Sequence, residues 1–167
     1  MMEERGMPSQ IINAGVSGDT TAGGLRRIDW VISQSPDLIL IELGANDGLR
    51  GIPVSEVSSN LHDMIDRVQA ANIDVMLVGM QIPPNYGKEY AKQFKEVFPS
   101  VAQQQGVPLL PFLLKDVAGV RDLNQPDGIH PTTKGHEKTQ TFASSTFPFN
   151  DAEQASLSVQ ALDMNPS

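Results

Sequence analysis

The feature that most constrains this chain is the run Leu38–Gly44, which is almost entirely apolar and rich in isoleucine. A run of this length, with a proline turn before it and a glycine at its end, is typical of a strand buried on both faces. Val75–Met80 has the same character. Val107–Phe112 is a further strand, and its two prolines favour an edge position.

Segments with helical periodicity separate these strands. Apolar residues recur at three- and four-residue spacing after the loop Gly15–Thr21, again between Pro53 and Val68, and in a stripe that begins at Tyr90. We expect Pro99 to bend or interrupt that last helix. Strands that alternate with helices predict an α/β domain built on a parallel sheet.

The same pattern predicts where a site would lie. Gln10–Gly15 is a short apolar stretch that we interpret as another strand. The loops around Gly18, Asn46 and Ile82 directly follow strands, so they fall on the edge of the sheet where ligands bind in such folds. The loop that contains His130 can reach the same edge.

Composition excludes several classes of function. The 167 residues include no cysteine, which excludes disulfides, a thiolate nucleophile and a cysteine-based zinc site. The net charge of −8, without a cluster of Lys and Arg, argues against a nucleic-acid partner. No apolar run has membrane-spanning length. The first residues, Met1–Gly6, lack a signal-peptide profile. As written the chain would be cytoplasmic, and a longer gene product could be periplasmic or secreted, so the sequence assigns no compartment.

The segment Asp127-Gly128-Ile129-His130-Pro131 carries the clearest chemistry. A carboxylate three residues before an imidazole can hold one ring nitrogen and leave the other for the substrate, as a general base requires. A plain surface turn is the alternative, because Asp-Gly and His-Pro both favour turns. A metal site formed by Asp127, His130 and His136 is a weaker alternative.

Two residues on the other loops can act as donors to an oxyanion. The backbone N–H of Gly18 and the carboxamide of Asn46 can both point at one developing negative charge. Each has a simpler alternative, since Gly18 can serve to allow a positive φ and Asn46 to cap a turn. A phosphate loop is disfavoured, because the spacing of Gly15 and Gly18 fits neither common phosphate-binding motif.

Three blocks of the chain resemble the SGNH (GDSL) hydrolases, namely Asn13–Thr20, Glu42–Gly48 and Asp127–Pro131. The similarity extends from about residue 8 to about residue 138 and points to the branch of bacterial arylesterases and multifunctional acyl-CoA thioesterase–lysophospholipases. The resemblance implies a flavodoxin-like, three-layer α/β/α fold with a parallel sheet. It also implies that no metal and no organic cofactor takes part.

The resemblance assigns roles to the candidate residues. It makes His130 the general base, Asp127 its orienting carboxylate, and Gly18 and Asn46 the oxyanion-hole donors. The implied activity is serine-type acyl transfer from a small-molecule ester or thioester with a short- to medium-chain acyl group. Five residues are candidates for an acyl pocket, although core packing is the usual fate of such side chains: Met80, Ile82, Tyr86, Phe112 and Leu113.

The chain departs from the family pattern at its start. The Gly-Asp-Ser-Leu block that carries the nucleophile on the first strand has no match in the 167 residues, so we expect the first strand and its serine to be missing. Ser17 is a hypothetical substitute nucleophile, with a turn-stabilising hydroxyl as its alternative. A non-catalytic remnant that binds acyl ligands, or that is complemented by a strand of another chain, is the alternative function. Self-association through an open sheet edge is a further expectation.

The end of the chain also changes character. Residues 139–167 contain no Lys or Arg and show no amphipathic period. We therefore divide the chain into an SGNH hydrolase-like domain, residues 1–138, and a poorly ordered tail, residues 139–167. A late start codon and a tail read in another frame would explain both ends.

Overall fold

The computed structural model describes residues 12–128, 130–146 and 157–159. Its centre is a parallel sheet of four strands in the spatial order β3-β2-β1-β4. The strands are β1 Leu38–Ile41, β2 Asp74–Val78, β3 Leu109–Leu110 and β4 Leu157–Val159. The predicted parallel sheet is confirmed, and β3 lies at an edge, as its flanking prolines indicated.

Helices connect the strands and cover the sheet. Their bounds are α1 Thr21–Ser33, α2 Ala45–Leu49, α3 Val54–Ala70, α4 Lys88–Gln105 and α5 Thr133–Thr146, with short 3-10 helices at Pro84–Tyr86 and Arg121–Leu123. α3 packs against α1 and α4, and both α3 and α4 contact β2. The two crossovers from β1 to β2 and from β2 to β3 advance in the same direction, which places α3 and α4 on one face.

The core follows from the apolar runs of the sequence. All four residues of β1 are buried, and each pairs with a residue of β2 in register from Leu38 opposite Asp74 to Ile41 opposite Leu77. Below the carboxyl end of β1, the rings of Phe94 and Phe98 of α4 meet edge to face at 5.5 Å. This arrangement places a rigid apolar floor beneath the loop that leaves β1.

Two local predictions need correction. α4 continues through Pro99 without interruption, because this residue lies on the exposed side of a helix whose opposite face is held in the core. Residues 12–15 of the predicted strand Gln10–Gly15 are irregular, whereas residues 10 and 11 lie outside the described residues. In this segment, side chains make hydrogen bonds to backbone groups that a strand partner would otherwise bind. The side-chain oxygen of Asn13 accepts the N–H of Gly15 at 2.9 Å, and Arg27 donates to the carbonyl of Ala14.

The start of the predicted tail also differs from expectation. α5 extends past residue 138 to Thr146, and the Nζ atom of Lys115 lies 5.3 Å from the ring centre of Phe142. Residues 157–159 pair in parallel with Leu38–Leu40, on the side of β1 that faces away from β2. Residues 139–146 and 157–159 therefore belong to regular elements, and residues 157–159 give β1 a second neighbouring strand. The other residues of the predicted tail lie outside the described residues.

Candidate active site

Asp127 and His130 form a hydrogen-bonded pair in the loop of residues 124–131, which we call the base loop. The carboxylate Oδ2 lies 2.6 Å from the ring Nδ1, and Oδ1 accepts the backbone N–H of His130 at 3.0 Å. Because an ionised carboxylate can only accept, Nδ1 carries the proton and Nε2 of a neutral ring keeps its lone pair. The side chains are 37% and 22% exposed, respectively, so this potential base is open to solvent.

The base loop is held near its two ends. Asn124 and Pro131 form an antiparallel bridge, and the N–H of Gln125 donates to the carbonyl of His130 at 2.7 Å. Asn124 is buried, and its Nδ2 donates to the carbonyl of Val117 at 2.6 Å. No sequence pattern indicates this role, because asparagine is equally typical of exposed turns.

Gly18 lies at the third position of a turn in residues 16–21, which we call the donor loop. The N–H of Asp19 donates to the carbonyl of Val16 at 3.1 Å, and φ is +73° at Gly18 but not positive at Ser17. These features define a type II turn, which differs from type I by a flip of the peptide between its second and third residues. That peptide carries the N–H of Gly18. The positive φ and the donor role of Gly18 are therefore compatible, because the positive φ belongs to the turn type that sets the direction of the Gly18 N–H.

Asn46 is the second residue of α2, which follows β1 after a short link. The preceding Gly44 has φ +111°, and a Cβ there would lie 3.0 Å from the ring of Phe98. Glycine therefore allows the chain to turn closely over the apolar floor. Within the described part of the chain, no hydrogen bond occupies the carboxamide of Asn46, so this amide is available to a ligand.

Asp47 connects α2 to the donor loop and is fully buried. Its Oδ1 accepts the hydroxyl of Thr21 at 2.6 Å, its Oδ2 accepts the backbone N–H of Thr21 at 2.9 Å, and Asn60 of α3 donates to the same hydroxyl at 3.0 Å. Burial raises the pKa of Asp47, while the hydrogen bonds from Thr21 and the charge of Arg50 oppose the rise. Asp47 and Thr21 are 26 residues apart in the sequence, so their contact depends on how α2 packs against the start of α1.

Arg50 makes a second connection between the same two segments. Its Nη2 donates to the carbonyl of Gly18 at 2.9 Å. Asp47 and Arg50 are three residues apart, so both project from one side of α2 toward the donor loop. The structure thus brings Gly18 together with the helix that carries Asn46. None of the described hydrogen bonds connects these residues with the base loop.

The loops that follow β1, β2 and β3 lie side by side at the carboxyl end of the sheet. A Cβ on Gly48 of α2 would lie 2.5 Å from Cγ2 of Ile82, in the loop after β2. A Cβ on Gly79 would collide with the carbonyl of Pro111, in the loop after β3. These close approaches show that all three loops form one continuous rim.

Two of the loops predicted to share this edge, those of Asn46 and Ile82, are therefore neighbours. The Gly18 loop is joined to α2 by Arg50 and does not directly follow a strand, since residues 12–16 are irregular.

Ser17, the hypothetical substitute nucleophile, is exposed and directly precedes Gly18 in the donor loop. The described hydrogen bonds include none between Ser17 and His130. The role of Ser17 therefore stays a prediction.

The five candidate pocket residues divide into two groups. Met80 and Ile82 are only 4% and 8% exposed and belong to the hydrophobic core, so packing accounts for both of them. Tyr86 is 40% exposed on its 3-10 helix, and Phe112 and Leu113 are half-buried beyond β3. The last three keep surface that an acyl group could contact.

Glu42 is an acidic residue near the site to which no sequence motif assigns a role. It is half-buried directly after β1, and burial raises its pKa to about 8. The available signal was a lone charge in the otherwise apolar run Leu38–Gly44. A carboxyl group in such a position tends to keep its proton.

The chain has two further histidines, His62 and His136. His136 is exposed on α5, and across the described ranges no group of three His, Asp or Glu residues is placed to hold a metal ion. His62 is half-buried on α3, and its Nδ1 lies 2.8 Å from Nε2 of Gln105. The helices in those ranges include none long and apolar enough to cross a membrane.

Comparison with known sequences identifies relatives. Residues 2–138 match the model of the GDSL-like lipase/acylhydrolase family. The esterase TesA of Pseudomonas aeruginosa is 43% identical over 131 residues, which are 78% of this chain and 65% of that protein. The arylesterase of Vibrio mimicus is 43% identical over 129 residues, which are 77% of this chain and 64% of that protein. The chain thus spans just under two thirds of the length of these curated relatives.

A solved structure agrees with the fold. The psychrotrophic esterase EstA from Pseudoalteromonas sp., inhibited by monoethylphosphonate, has a TM-score of 0.82 and 39% sequence identity, and the match covers 86% of this chain and 79% of that one. This likeness confirms the predicted three-layer α/β class, and the family match includes the donor loop, α2 and the base loop. The chain therefore belongs to the GDSL-like lipase/acylhydrolase family.

Proposed function

We propose that this chain is an acyl hydrolase that cleaves short- to medium-chain carboxylic esters or thioesters by serine-type acyl transfer. The observation that carries the proposal is the 2.6 Å contact between Asp127 Oδ2 and His130 Nδ1, which leaves Nε2 of the imidazole for a substrate. Family membership supports it, as do the names of the relatives, an esterase and an arylesterase.

The proposed reaction has two halves. In the first, His130 Nε2 takes the proton of a serine hydroxyl, the serine oxygen bonds to the substrate carbonyl, and the oxyanion accepts the Gly18 N–H and the Asn46 amide. The intermediate collapses as His130 gives its proton to the departing alcohol or thiol. In the second half, a water molecule gives a proton to His130 and bonds to the acyl carbonyl. The resulting intermediate collapses as His130 returns that proton to the serine oxygen, which releases the carboxylic acid and restores the serine hydroxyl.

The serine and the acyl site complete the proposal. Ser17 is the candidate nucleophile, because it is exposed beside the donor Gly18. Tyr86, Phe112 and Leu113 form the candidate wall for the acyl chain, since each keeps exposed apolar surface on the rim. A lysophospholipid is an ester of the class that such a wall would accept.

The proposal is tested by labelling the folded chain with a fluorophosphonate, followed by peptide mapping of the adduct. Such a probe modifies a serine when a base and an oxyanion hole activate it. We expect one serine adduct that is lost in His130→Ala and retained in His136→Ala, a matched change at an exposed histidine. An adduct at Ser17 would identify the nucleophile.

The outcome that contradicts the proposal is the absence of any adduct in protein whose circular dichroism shows it to be folded. Slow ester hydrolysis alone would not support it, because an oxyanion hole and binding can retain about 10³–10⁴-fold acceleration over water without a complete triad. Ester and thioester panels of increasing acyl length would then define the preference of a labelled enzyme.

A further inference from the structure

We infer that Arg50 is a positioning residue. It keeps the two oxyanion donors, Gly18 and Asn46, at a fixed position relative to each other, and this inference rests on the proposed function. The contact that carries it is the hydrogen bond from Arg50 Nη2 to the carbonyl of Gly18 at 2.9 Å, between residues 32 positions apart. Among the described hydrogen bonds, this is the one that joins Gly18 itself to the helix of Asn46.

Gly18 needs such a contact because its neighbours are anchored elsewhere. Asp19 binds the guanidinium of Arg27 on α1, with Oδ2 lying 2.8 Å from Nε, and Asp47 holds Thr21 at the start of α1. Both contacts fix the far end of the donor loop. Gly18 is exposed in the turn before them, and glycine gives the backbone the greatest freedom of any residue.

Arg50 is well placed to supply the connection. Its own N–H is shared between the carbonyls of Asn46 and Asp47, at 3.1 and 3.2 Å, so its backbone is fixed on the helix that presents the amide donor. Its planar guanidinium then reaches the peptide that follows Gly18. The carbonyl of that peptide is bound by Arg50, and its N–H is bound by the carbonyl of Val16. A single side chain thus links one donor to the other.

This link has a catalytic consequence. Oxyanion donors stabilise a transition state when they already lie about 2.7–3.1 Å from the position that the oxyanion will take. If Gly18 can move relative to Asn46, the donor loop must become ordered as charge develops, and the free-energy cost of that ordering reduces the stabilisation of the transition state. Loss of one complete donor typically costs about 10²–10³-fold in kcat. For Arg50→Ala, which loosens a donor without removing it, we expect about tenfold lower kcat with KM changed less than about twofold.

The experiment compares Arg50→Ala, Arg50→Lys and Arg26→Ala with the unmodified chain. Arg26 is an exposed arginine on α1, so its replacement makes the same charge change away from Gly18. Backbone and side-chain amides of ¹⁵N-labelled protein report on Gly18 and Asn46 without requiring activity. We expect exchange broadening of the Gly18 and Asp19 amides in Arg50→Ala, a smaller effect in Arg50→Lys, and no change in Arg26→Ala, with urea midpoints close to that of the parent.

Two results would overturn the inference. One is an unchanged Gly18 amide in folded Arg50→Ala, or an equal change in Arg26→Ala, which would show a general charge effect. The other, in a chain that reacts with fluorophosphonate, is a kcat unaffected by Arg50→Ala although the Gly18 amide has broadened. If the parent chain neither reacts nor hydrolyses esters, the proposed function fails while the amide spectra still decide whether Arg50 holds the turn.

Discussion

The donor side of the candidate site and the base loop are built in opposite ways. On the donor side, α2 and the donor loop are joined by Asp47, which is fully buried and hydrogen-bonded to a residue 26 positions away. In the base loop, the carboxylate of Asp127 is 37% exposed and its ring partner is three residues away. A long-range buried contact therefore joins the donor loop to α2, whereas short-range exposed contacts hold the potential base.

The difference suits the two tasks. Donors to an oxyanion act through preorganisation, so any movement costs transition-state stabilisation. A general base must instead exchange its proton with substrate, leaving group and water, and solvent access favours that exchange. We expect mutations on the donor side to affect stability strongly and mutations in the base loop to affect it weakly.

The largest expected effect is that of Asp47→Ala. Removing this carboxylate leaves the N–H and hydroxyl of Thr21 buried without their acceptor, so the free energy of unfolding should fall by about 3 kcal/mol. Urea denaturation measures the change. Asp47→Asn, which retains one oxygen acceptor, should cost less, and equal small losses in both variants would show that the donor side is not held by this contact.

The next effect concerns the packing beneath α2. In Gly48→Ala the new methyl group would lie 2.5 Å from Cγ2 of Ile82 and 3.0 Å from Cζ of Phe94, so unfolding should become easier by about 2 kcal/mol. Urea denaturation again provides the measurement. Because Ile82→Ala removes the contacting methyl, the double variant should lose less than the two single losses combined. Simple additivity would contradict this packing account.

A pH-dependent effect on stability is expected from Glu42, which directly follows β1. Its pKa is raised to about 8 by burial, so the folded state keeps a proton that the unfolded state releases near pH 4.5. Unfolding therefore releases a proton between these values, and stability falls as the pH rises through that window, by at most about 1.4 kcal/mol per unit. Solvent that reaches the half-buried group reduces this slope. Glu42→Gln should flatten the curve of urea midpoint against pH, and an unchanged curve would assign the dependence to other groups.

The smallest effect on stability is expected in the base loop. Asp127→Ala breaks an exposed pair, so the free energy of unfolding should change by less than about 1 kcal/mol in the same urea experiment. Fluorophosphonate labelling should nevertheless be lost or strongly slowed, because the imidazole loses the partner that fixes its tautomer. A loss of stability as large as that of Asp47→Ala would remove the contrast between the two regions.

Much of this fold could be predicted from the sequence because its signals are local. The apolar run of β1 and the prolines around β3 predicted a parallel sheet with an edge strand, and both are confirmed. The spacing of Asp127 and His130 predicted their contact, since three residues of chain leave few ways to separate them. The ends of the chain were harder to predict, because weak local periodicity neither indicated that α5 extends to Thr146 nor paired residues 157–159 with β1.

What the sequence determined by itself was therefore the three strands β1, β2 and β3 with the helices between them, the rim formed by the loops after these strands, and the pairing within the base loop. Tertiary structure alone decided that Asp47 would hold Thr21, that Arg50 would bind Gly18, and that Glu42 would be buried enough to keep its proton. The physical reason is distance along the chain. Periodicity and turn chemistry act over a few residues, whereas hydrogen bonds between segments and the desolvation of a carboxyl group depend on which segments pack together.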